Sequence, residues 1–290
     1  MKNLFILISL FLTWSTAIAE TPHGWQEVEK AIGGKGTVGD DVFKVTFARS
    51  DLKVRVGNVF IEPGLALTSW ITFKQMGNKA MMMGDLVLLD KEVDSVLPEL
   101  VSNGIEVTAL HNHLVGESPS IMYMHFSGRG DPVKLAKAMK SALAKTKTPL
   151  SESKIGQPAV TGVDWSGVEA ILGTSGKAAG SLLKYSFSRK EKIAENGMEI
   201  PPSMGVATPI GFQKVEGKAI VYGDFVLLAK EVNPVIKALV KHGITVTAVH
   251  NHMLFESPRL FFLHFWGIDK PEKLAKGVKA ALDKTNSSKK

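Results

Sequence analysis

Apolar side chains recur at helical spacing in three segments of the first half of the chain. Residues 25–32 carry a short stripe of this kind, and Pro132 opens a segment whose apolar positions lie three or four residues apart. The segment between these two has the fullest apolar stripe, and its members are Val93, Val96, Leu97, Leu100 and Val101. The spacing predicts three helices, with Pro98 in the first turn of the second helix, where a missing N–H is best tolerated.

Runs of β-branched and apolar residues between glycine and proline breaks fill the space between these helices. They predict strands near residues 42–48, 54–60, 67–73, 79–89, 105–113 and 121–127. Short connections between consecutive strands favour antiparallel pairing. The first half is therefore expected to have an α+β fold, in which helices pack on a mostly antiparallel sheet.

The same pattern occurs a second time further along the chain. Trp165 lies 140 positions after Trp25, and His250 lies 139 positions after His111. A period this long indicates a duplicated domain. The predicted divisions are a signal peptide at 1–19, a first repeat domain at 20–146, a linker at 147–162, a second repeat domain at 163–285 and a polar tail at 286–290. The sequence leaves open whether the two copies pack face to face.

The N-terminal segment has the composition of a secretory signal peptide. Lys2 is its only charge, residues 4–13 are almost wholly apolar, and Ala17-Ile18-Ala19 precedes Glu20. This apolar run is too short to span a bilayer, which needs about twenty residues. We therefore expect a periplasmic or secreted protein that has no transmembrane anchor after cleavage near Ala19-Glu20.

Composition narrows the chemistry that the chain can perform. There is no cysteine, which excludes thiolate ligands, disulfides and acylation at cysteine. The net charge is +7, but many lysines lie at helical spacing along residues 132–147 and 271–284, without clustered aromatic residues. This pattern favours two solvated helix faces over specific nucleic-acid binding. The positive net charge is also compatible with weak electrostatic attraction to anionic polymers of the cell envelope.

Histidine is concentrated in one repeated motif, which holds six of the eight histidines. The motif residues are His111, His113, Glu117 and His125 in the first copy, and His250, His252, Glu256 and His264 in the second. Residues two apart on a strand share a face. A hairpin centred near residue 118 would place His125 opposite His111, so that three imidazoles converge in each copy.

Three imidazoles and a carboxylate predict a divalent-metal site in each copy. Zinc is the first expectation, and iron, manganese, nickel and copper use similar ligands. Glu117 and Glu256 are candidate ligands, or general bases beside an open coordination position. The alternative is a set of hydrogen-bonded core histidines, but packing three uncoordinated imidazoles together costs desolvation and risks charge repulsion below neutral pH.

Two pairs of charged residues also stand at matching places in the copies. Asp85 and Asp224 interrupt apolar strands, where each could accept a hydrogen bond from a ligating histidine or cap a turn at the Gly-Asp pair. Arg49 and Arg189 could bind an anionic substrate, although a surface or sheet-edge salt bridge is the commoner use of such a residue.

The repeated segment resembles a known family. Its two copies read "MGDLVLLDKEVDSVLPELVSNGIEVTALHNHLVGESPSIMYMHFSGRGDP" and "YGDFVLLAKEVNPVIKALVKHGITVTAVHNHMLFESPRLFFLHFWGIDKP". They are similar to the LppY/LpqO family of exported bacterial proteins, a tandem domain of unknown function. The resemblance implies an envelope location and no settled activity. Some members are named as lipoproteins, and this chain departs from them because it lacks cysteine.

Two functions are compatible with these patterns. The first is a metal-dependent enzyme, with hydrolysis as the expected reaction class. The second is a non-enzymatic envelope protein, in which the metal is structural or absent. In both cases the expected partner is a small molecule or a cell-envelope component. An open coordination position facing a cleft would favour the enzyme, whereas a closed site without a cavity would favour the binding protein.

Overall fold

The computed structural model describes residues 24–150 and 162–288. The predicted signal peptide and most of the predicted linker lie outside these ranges. The first half contains α1 (Gln26–Ile32), β1 (Gly36–Gly39), β2 (Val42–Ala48), β3 (Arg55–Val56), β4 (Val59–Phe60), α2 (Pro63–Ala66), β5 (Thr68–Met76), β6 (Lys79–Leu89), a 3₁₀ turn (Asp90–Glu92), α3 (Val93–Ser102), β7 (Glu106–His111), β8 (Glu117–Ser118), β9 (Ile121–Gly130) and α4 (Pro132–Leu143).

The second half repeats this order with small changes. It contains α5 (Ser166–Leu172), β10 (Lys177–Ala179), β11 (Leu182–Ser188), β12 (Ile193–Glu195), β13 (Met198–Ile200), a 3₁₀ turn (Pro202–Met204), β14 (Ala207–Val215), β15 (Lys218–Leu228), α6 (Ala229–Lys241), β16 (Thr245–His250), β17 (Glu256–Ser257), β18 (Leu260–Asp269) and α7 (Pro271–Leu282). The 3₁₀ turn at Pro202–Met204 therefore occupies the position that α2 has in the first half.

Each half is built on one six-stranded antiparallel sheet. The strand orders are β1-β2-β5-β6-β9-β7 in the first half and β10-β11-β14-β15-β18-β16 in the second. Two smaller sheets, β4-β3-β8 and β13-β12-β17, are also antiparallel. The predicted fold class, two tandem α+β domains with helices on an antiparallel sheet, is confirmed.

The two large sheets have one face against helices and one face against each other. Alternation along β6 sends Met82 and Leu86 into the core beneath the helices, while Met83, Asp85 and Val87 point to the other half. The apolar clusters on this second face contain residues of both halves. The layers therefore run helix, sheet, sheet, helix, and Asp85 lies between the two sheets.

Three local features differ from the predictions. The expected strand at 54–60 is divided into β3 and β4 by a turn at Gly57, whose φ is +56°. Pro98 is the sixth residue of α3 rather than part of its first turn, because the helix is entered directly from the 3₁₀ turn. The short elements β1, β8 and α2 were not predicted, since they carry no apolar period of their own.

Gly84 is expected to be irreplaceable for steric reasons. An added Cβ would lie 2.3 Å from the carbonyl oxygen of Trp70 and 2.4 Å from the Phe126 ring. Since neither neighbour can move without distorting the sheet, Gly84→Ala should lower the free energy of unfolding by about 2 kcal/mol. Urea unfolding measures this. The matched control is Gly130→Ala, where nothing lies within 4 Å of the new Cβ. Equal losses in both variants would contradict the close packing of Gly84 against Trp70 in β5 and Phe126 in β9.

Candidate metal centre

Four strands position the six motif histidines. His111 and His250 end β7 and β16, while His113 and His252 follow two residues later in the connecting loops. The remaining two histidines lie inside central strands: His125 in β9 pairs directly with Asp85 in β6. The second half repeats this pair, His264 with Asp224. Each aspartate is thus brought beside a histidine by strand register.

The register of the β7–β9 pair differs from the predicted hairpin. His111 lies opposite Tyr123, and His125 lies opposite Ala109, with a bulge between Val107 and Ala109. The connection between the strands is also more than a tight turn, because it contains β8. The shift amounts to two residues along the strand, so His125 still projects to the same face as His111.

The histidines of the two halves meet in a single cluster between the sheets. The ring centroids of His111 and His250 are 3.6 Å apart, and those of His113 and His264 are also 3.6 Å apart. The rings of His125 and His252 lie 3.8 Å apart. The sequence left open whether the copies keep separate sites, and the structure places all six imidazoles in one region.

The two aspartates supply the carboxylates of this cluster. Oδ2 of Asp85 is 3.9 Å from Nε2 of His113 and 3.9 Å from Nε2 of His125. Oδ2 of Asp224 is 3.2 Å from Nε2 of His252. Among the described residues, four overlapping groups of ligand atoms, each with its atoms within 4.8 Å of one another, could hold a metal ion: Asp224, His250, His252, His264; His111, His125, His250; His111, His113, His264; and Asp85, His113, His125.

Glu117 and Glu256 lie outside all four groups. The carboxylate of Glu117 accepts a hydrogen bond from the backbone N–H of Ile121 at 3.2 Å. That of Glu256 accepts from the N–H of Leu260 at 2.9 Å and from Arg259 at 3.2 Å. Both glutamates therefore stabilise the loop before a central strand. The carboxylates beside the histidines belong to Asp85 and Asp224, and not to Glu117 and Glu256 as the sequence predicted.

The cluster contains most of the unsatisfied buried polar atoms of the described residues. Within the described part of the chain, twelve buried side-chain nitrogen or oxygen atoms lack a hydrogen-bond partner, and eight of these twelve belong to the cluster. The eight are Oδ1 of Asp85 and Asp224, Nδ1 of His111 and His264, and Nε2 of His113, His125, His250 and His252. Each unpaired buried group costs about 1–3 kcal/mol. A concentration of this kind calls for a specific physical reason.

Burial keeps the imidazoles neutral. It lowers the pKa of His111 to about 2, that of His252 to about 3 and that of His250 to about 4. The pKa values of His113, His125 and His264 are also held well below 6.5, first by burial and then by neighbouring imidazoles. Neutral imidazole is the form that binds metal, since its nitrogen lone pair is free.

Burial acts in the opposite direction on the aspartates. It raises the pKa of Asp224 to about 7, and it raises the pKa of Asp85 well above its ordinary value, with the charge of Asp224 adding to the effect. A cation beside these carboxylates would favour their ionised form and reverse the shift. The protein alone thus carries two buried acids for which it offers little compensating charge.

Side chains from each half orient the histidines of the other. Oη of Tyr222 lies 2.5 Å from Nδ1 of His113, which leaves Nε2 of that ring directed at the cluster. The hydroxyl of Thr108 donates to the carbonyl of His252 at 2.6 Å, and that of Thr247 donates to the carbonyl of His113 at 2.7 Å. The repeated Val-Thr-Ala sequence could have indicated the threonines, but Tyr222 matches Met83 and gave no signal.

A cavity of about 270 Å³ reaches the cluster. Six ligand candidates line it: Asp85, His113, His125, Asp224, His252 and His264. Its wall also includes Lys44, Trp70 and Ser203. Neither Glu117 nor Glu256 lines this cavity, and neither do the central residues His111 and His250. A small molecule in the cavity would therefore meet the aspartates and four of the six imidazoles.

The matched arginines have a structural use. Arg49 is fully buried, and its guanidinium donates to Glu92 at 2.7 Å, to Asp51 at 2.9 Å and to the carbonyl of Val87 at 2.8 Å. Arg189 makes the corresponding bonds to Glu231, Glu191 and Val226. The expected surface or sheet-edge salt bridge is thus a buried ion pair. Neither arginine lines the cavity.

Comparison with protein families gives matches to one domain at residues 26–145 and again at 166–284, which is more than half of the chain. The chain belongs to the Domain of Unknown Function (DUF1259) family. This family membership supports the tandem duplication that was read from the sequence, and it supplies no activity. No curated protein gave a significant match.

Two solved structures show a weak likeness to this DUF1259 chain. The trimeric bacterial microcompartment shell protein PduB is 12% identical, with 86% of this chain and 89% of that chain covered and a TM-score of 0.21. EtuB from Clostridium kluyveri is 10% identical, with 87% and 90% covered and a TM-score of 0.20. Scores this low carry no argument about function.

Among the described residues, no helix has the length and apolar character needed to cross a membrane.

Proposed function

We propose that this DUF1259 protein binds divalent metal in one centre shared between its two repeats, and that the centre acts on a small molecule in the adjoining cavity. The observation that carries the proposal is the set of eight unpaired buried atoms in the cluster. Burying them without partners would be costly, whereas a cation would satisfy imidazole nitrogens and carboxylate oxygens together.

The donor set indicates which metals suit the site. Imidazole nitrogens and carboxylate oxygens, without thiolates, are used by zinc, iron, manganese, nickel and copper. The richest group comprises Asp224, His250, His252 and His264, which resembles a four-ligand zinc site in its composition. We therefore propose zinc as the first metal to test.

Hydrolysis is the proposed reaction class because six of the candidate ligands line a cavity that could hold a substrate. A divalent ion bound there would supply a Lewis acid that activates water and polarises a substrate oxygen. Asp224 would help to hold an ion in the group with His250, His252 and His264, and Asp85 would help to hold one in the group with His113 and His125, where Tyr222 fixes the ring of His113. We also propose that the protein is periplasmic or secreted, on the basis of its N-terminal segment, and that it belongs with the LppY/LpqO proteins, on the basis of the repeated segment.

A non-enzymatic role is the second candidate, and the mixed ligand groups favour it. Two of the four groups combine histidines of both halves, so an ion held there would tie the two sheets together. Such an ion would be structural. The enzyme requires turnover of a substrate in the cavity, whereas the structural role requires only that the metal stabilise the fold.

Metal addition is expected to stabilise the chelator-treated protein. At a free zinc concentration one hundred times Kd, binding contributes about 2.7 kcal/mol, which for a chain of this size raises Tm by about 5–10 °C. Thermal unfolding with and without zinc measures the shift. The Glu117→Gln and Glu256→Gln double variant is the control and should show the same shift, because both glutamates lie outside the ligand groups. An unchanged Tm for the original protein would contradict metal binding.

A further inference from the structure

We propose that the cavity beside the metal centre binds a small organic anion, with Lys44 as the residue that pairs with its carboxylate or phosphoryl group. This inference rests on the proposed metal centre and names the substrate class of the same site. It depends on three features of the cavity wall: an unpaired lysine, an unpartnered hydroxyl, and the balance of charge once the carboxylates hold a metal.

Lys44 places a cation on the cavity wall without a protein counterion. It projects from β2, and its Nζ lies 5.0 Å from the centroid of the Trp70 ring. Within residues 24–150 and 162–288 it forms no ion pair. Burial lowers the pKa of Lys44, and no carboxylate offsets that effect. A bound anion would supply the missing charge.

The equivalent lysine of the second half has a different environment. Lys184 occupies the matching position in β11, where it pairs with Gly211 as Lys44 pairs with Thr72. The negative charge of Glu62 opposes the lowering of the Lys184 pKa by burial. Lys184 does not line the cavity. The unpaired cation at the cavity is therefore specific to the first half, and Lys184 provides a matched control.

The rest of the wall suits the organic part of such a ligand. Trp70, Leu65 and Pro209 offer apolar surface, and the buried hydroxyl of Ser203 has no hydrogen-bond partner among the described residues. The cavity volume of about 270 Å³ lies just below the usual range for small-molecule pockets, which begins at about 300 Å³. The site therefore fits a compact ligand with one polar end.

Charge balance favours an anion over a neutral ligand. Asp85 and Asp224 are the acidic residues that line the cavity, and Lys44 is its basic residue. One divalent ion neutralises the two carboxylates, so that the charge of Lys44 is left uncompensated. A bound anion with its charged group beside Lys44 would compensate that remaining charge.

The test uses the zinc-loaded full chain and three aromatic probes, with Kd measured by isothermal titration calorimetry. Benzoate and phenylphosphonate present the two anionic groups, and benzamide is the neutral counterpart of benzoate. The original protein should bind at least one of the anions more tightly than benzamide. Lys44→Met should weaken that anion about tenfold or more, because a charge-assisted bond is lost. Lys44→Arg should restore most of the affinity, and Lys184→Met should leave it unchanged.

Zinc content, measured on the same samples, separates the two levels of the proposal. If zinc is retained and Lys44→Met binds the anions as well as the original protein does, the anion site is overturned while the metal centre stands. Equal affinity for benzoate, phenylphosphonate and benzamide would also overturn it. Failure of the original chain to retain zinc would instead contradict the proposed function itself.

Discussion

Replacing His125 and His264 together by alanine should abolish stoichiometric metal binding. These two residues are equivalent in the two halves, and every one of the four ligand groups contains at least one of them. Since loss of a partner that merely orients a ligand costs about 10–100-fold in affinity, loss of a ligand from every group should cost more than about a hundredfold. Zinc titration of the chelator-treated variant measures the loss.

A second double variant sharpens this prediction. His111→Ala with His250→Ala removes the central pair, yet it leaves the group of Asp85, His113 and His125 intact. We therefore expect this variant to retain weakened binding. Circular dichroism of both variants without metal checks that the sheets still form. Metal binding at the original affinity in the His125 and His264 variant would contradict the assigned ligands.

Arg49→Met should destabilise the protein by about 3–5 kcal/mol, the usual cost of removing one partner of a buried ion pair. The guanidinium is fully buried and donates twice to Glu92, which is itself 7% exposed. Its loss leaves the Glu92 carboxylate with the backbone N–H of Leu89 as its remaining hydrogen-bond donor among those described. Chemical denaturation measures the change in the free energy of unfolding.

Two controls separate burial of charge from loss of side-chain volume. Arg49→Met combined with Glu92→Leu removes both charges and should recover much of the stability, because no uncompensated charge remains at Glu92. Lys192→Met breaks an exposed pair with Glu199, whose side chains are 84% and 62% exposed, and should change stability by less than about 1 kcal/mol. Equal effects of Arg49→Met and Lys192→Met would contradict a buried ion pair.

The sequence predicted helices and strands correctly where they follow from the period of apolar residues. The strand predicted at 79–89 is β6 to the residue, and the helix opened by Pro132 begins there. Both features depend on local patterns that recur in the second half. The same two-residue period correctly placed His125 on the face of His111, even though the predicted register differed.

The parts that the sequence missed depend on long-range geometry. The face-to-face packing of the sheets buries Met83, Val87 and Phe262, which are ordinary core residues with no mark of an interface. The carboxylate nearest in sequence to the histidines is Glu117, but the register of β6 against β9 brings Asp85 beside His125 instead. The pairing of β6 with β9 joins residues that are about 40 positions apart, and the bulge that shifts β7 against β9 has no sequence signature here, so the ligand set could not be assigned fully without the fold.

The shared metal centre is tested most directly by elemental analysis of the original chain. The protein should be purified without chelators and without added metal, and its metal content should be measured together with its concentration. We expect at least one divalent ion per chain, with zinc first among the candidates, and a ratio that falls sharply in the His125→Ala and His264→Ala double variant. A folded original protein with no stoichiometric metal, which also fails to take up zinc, iron, manganese, nickel or copper on addition, would contradict the proposal.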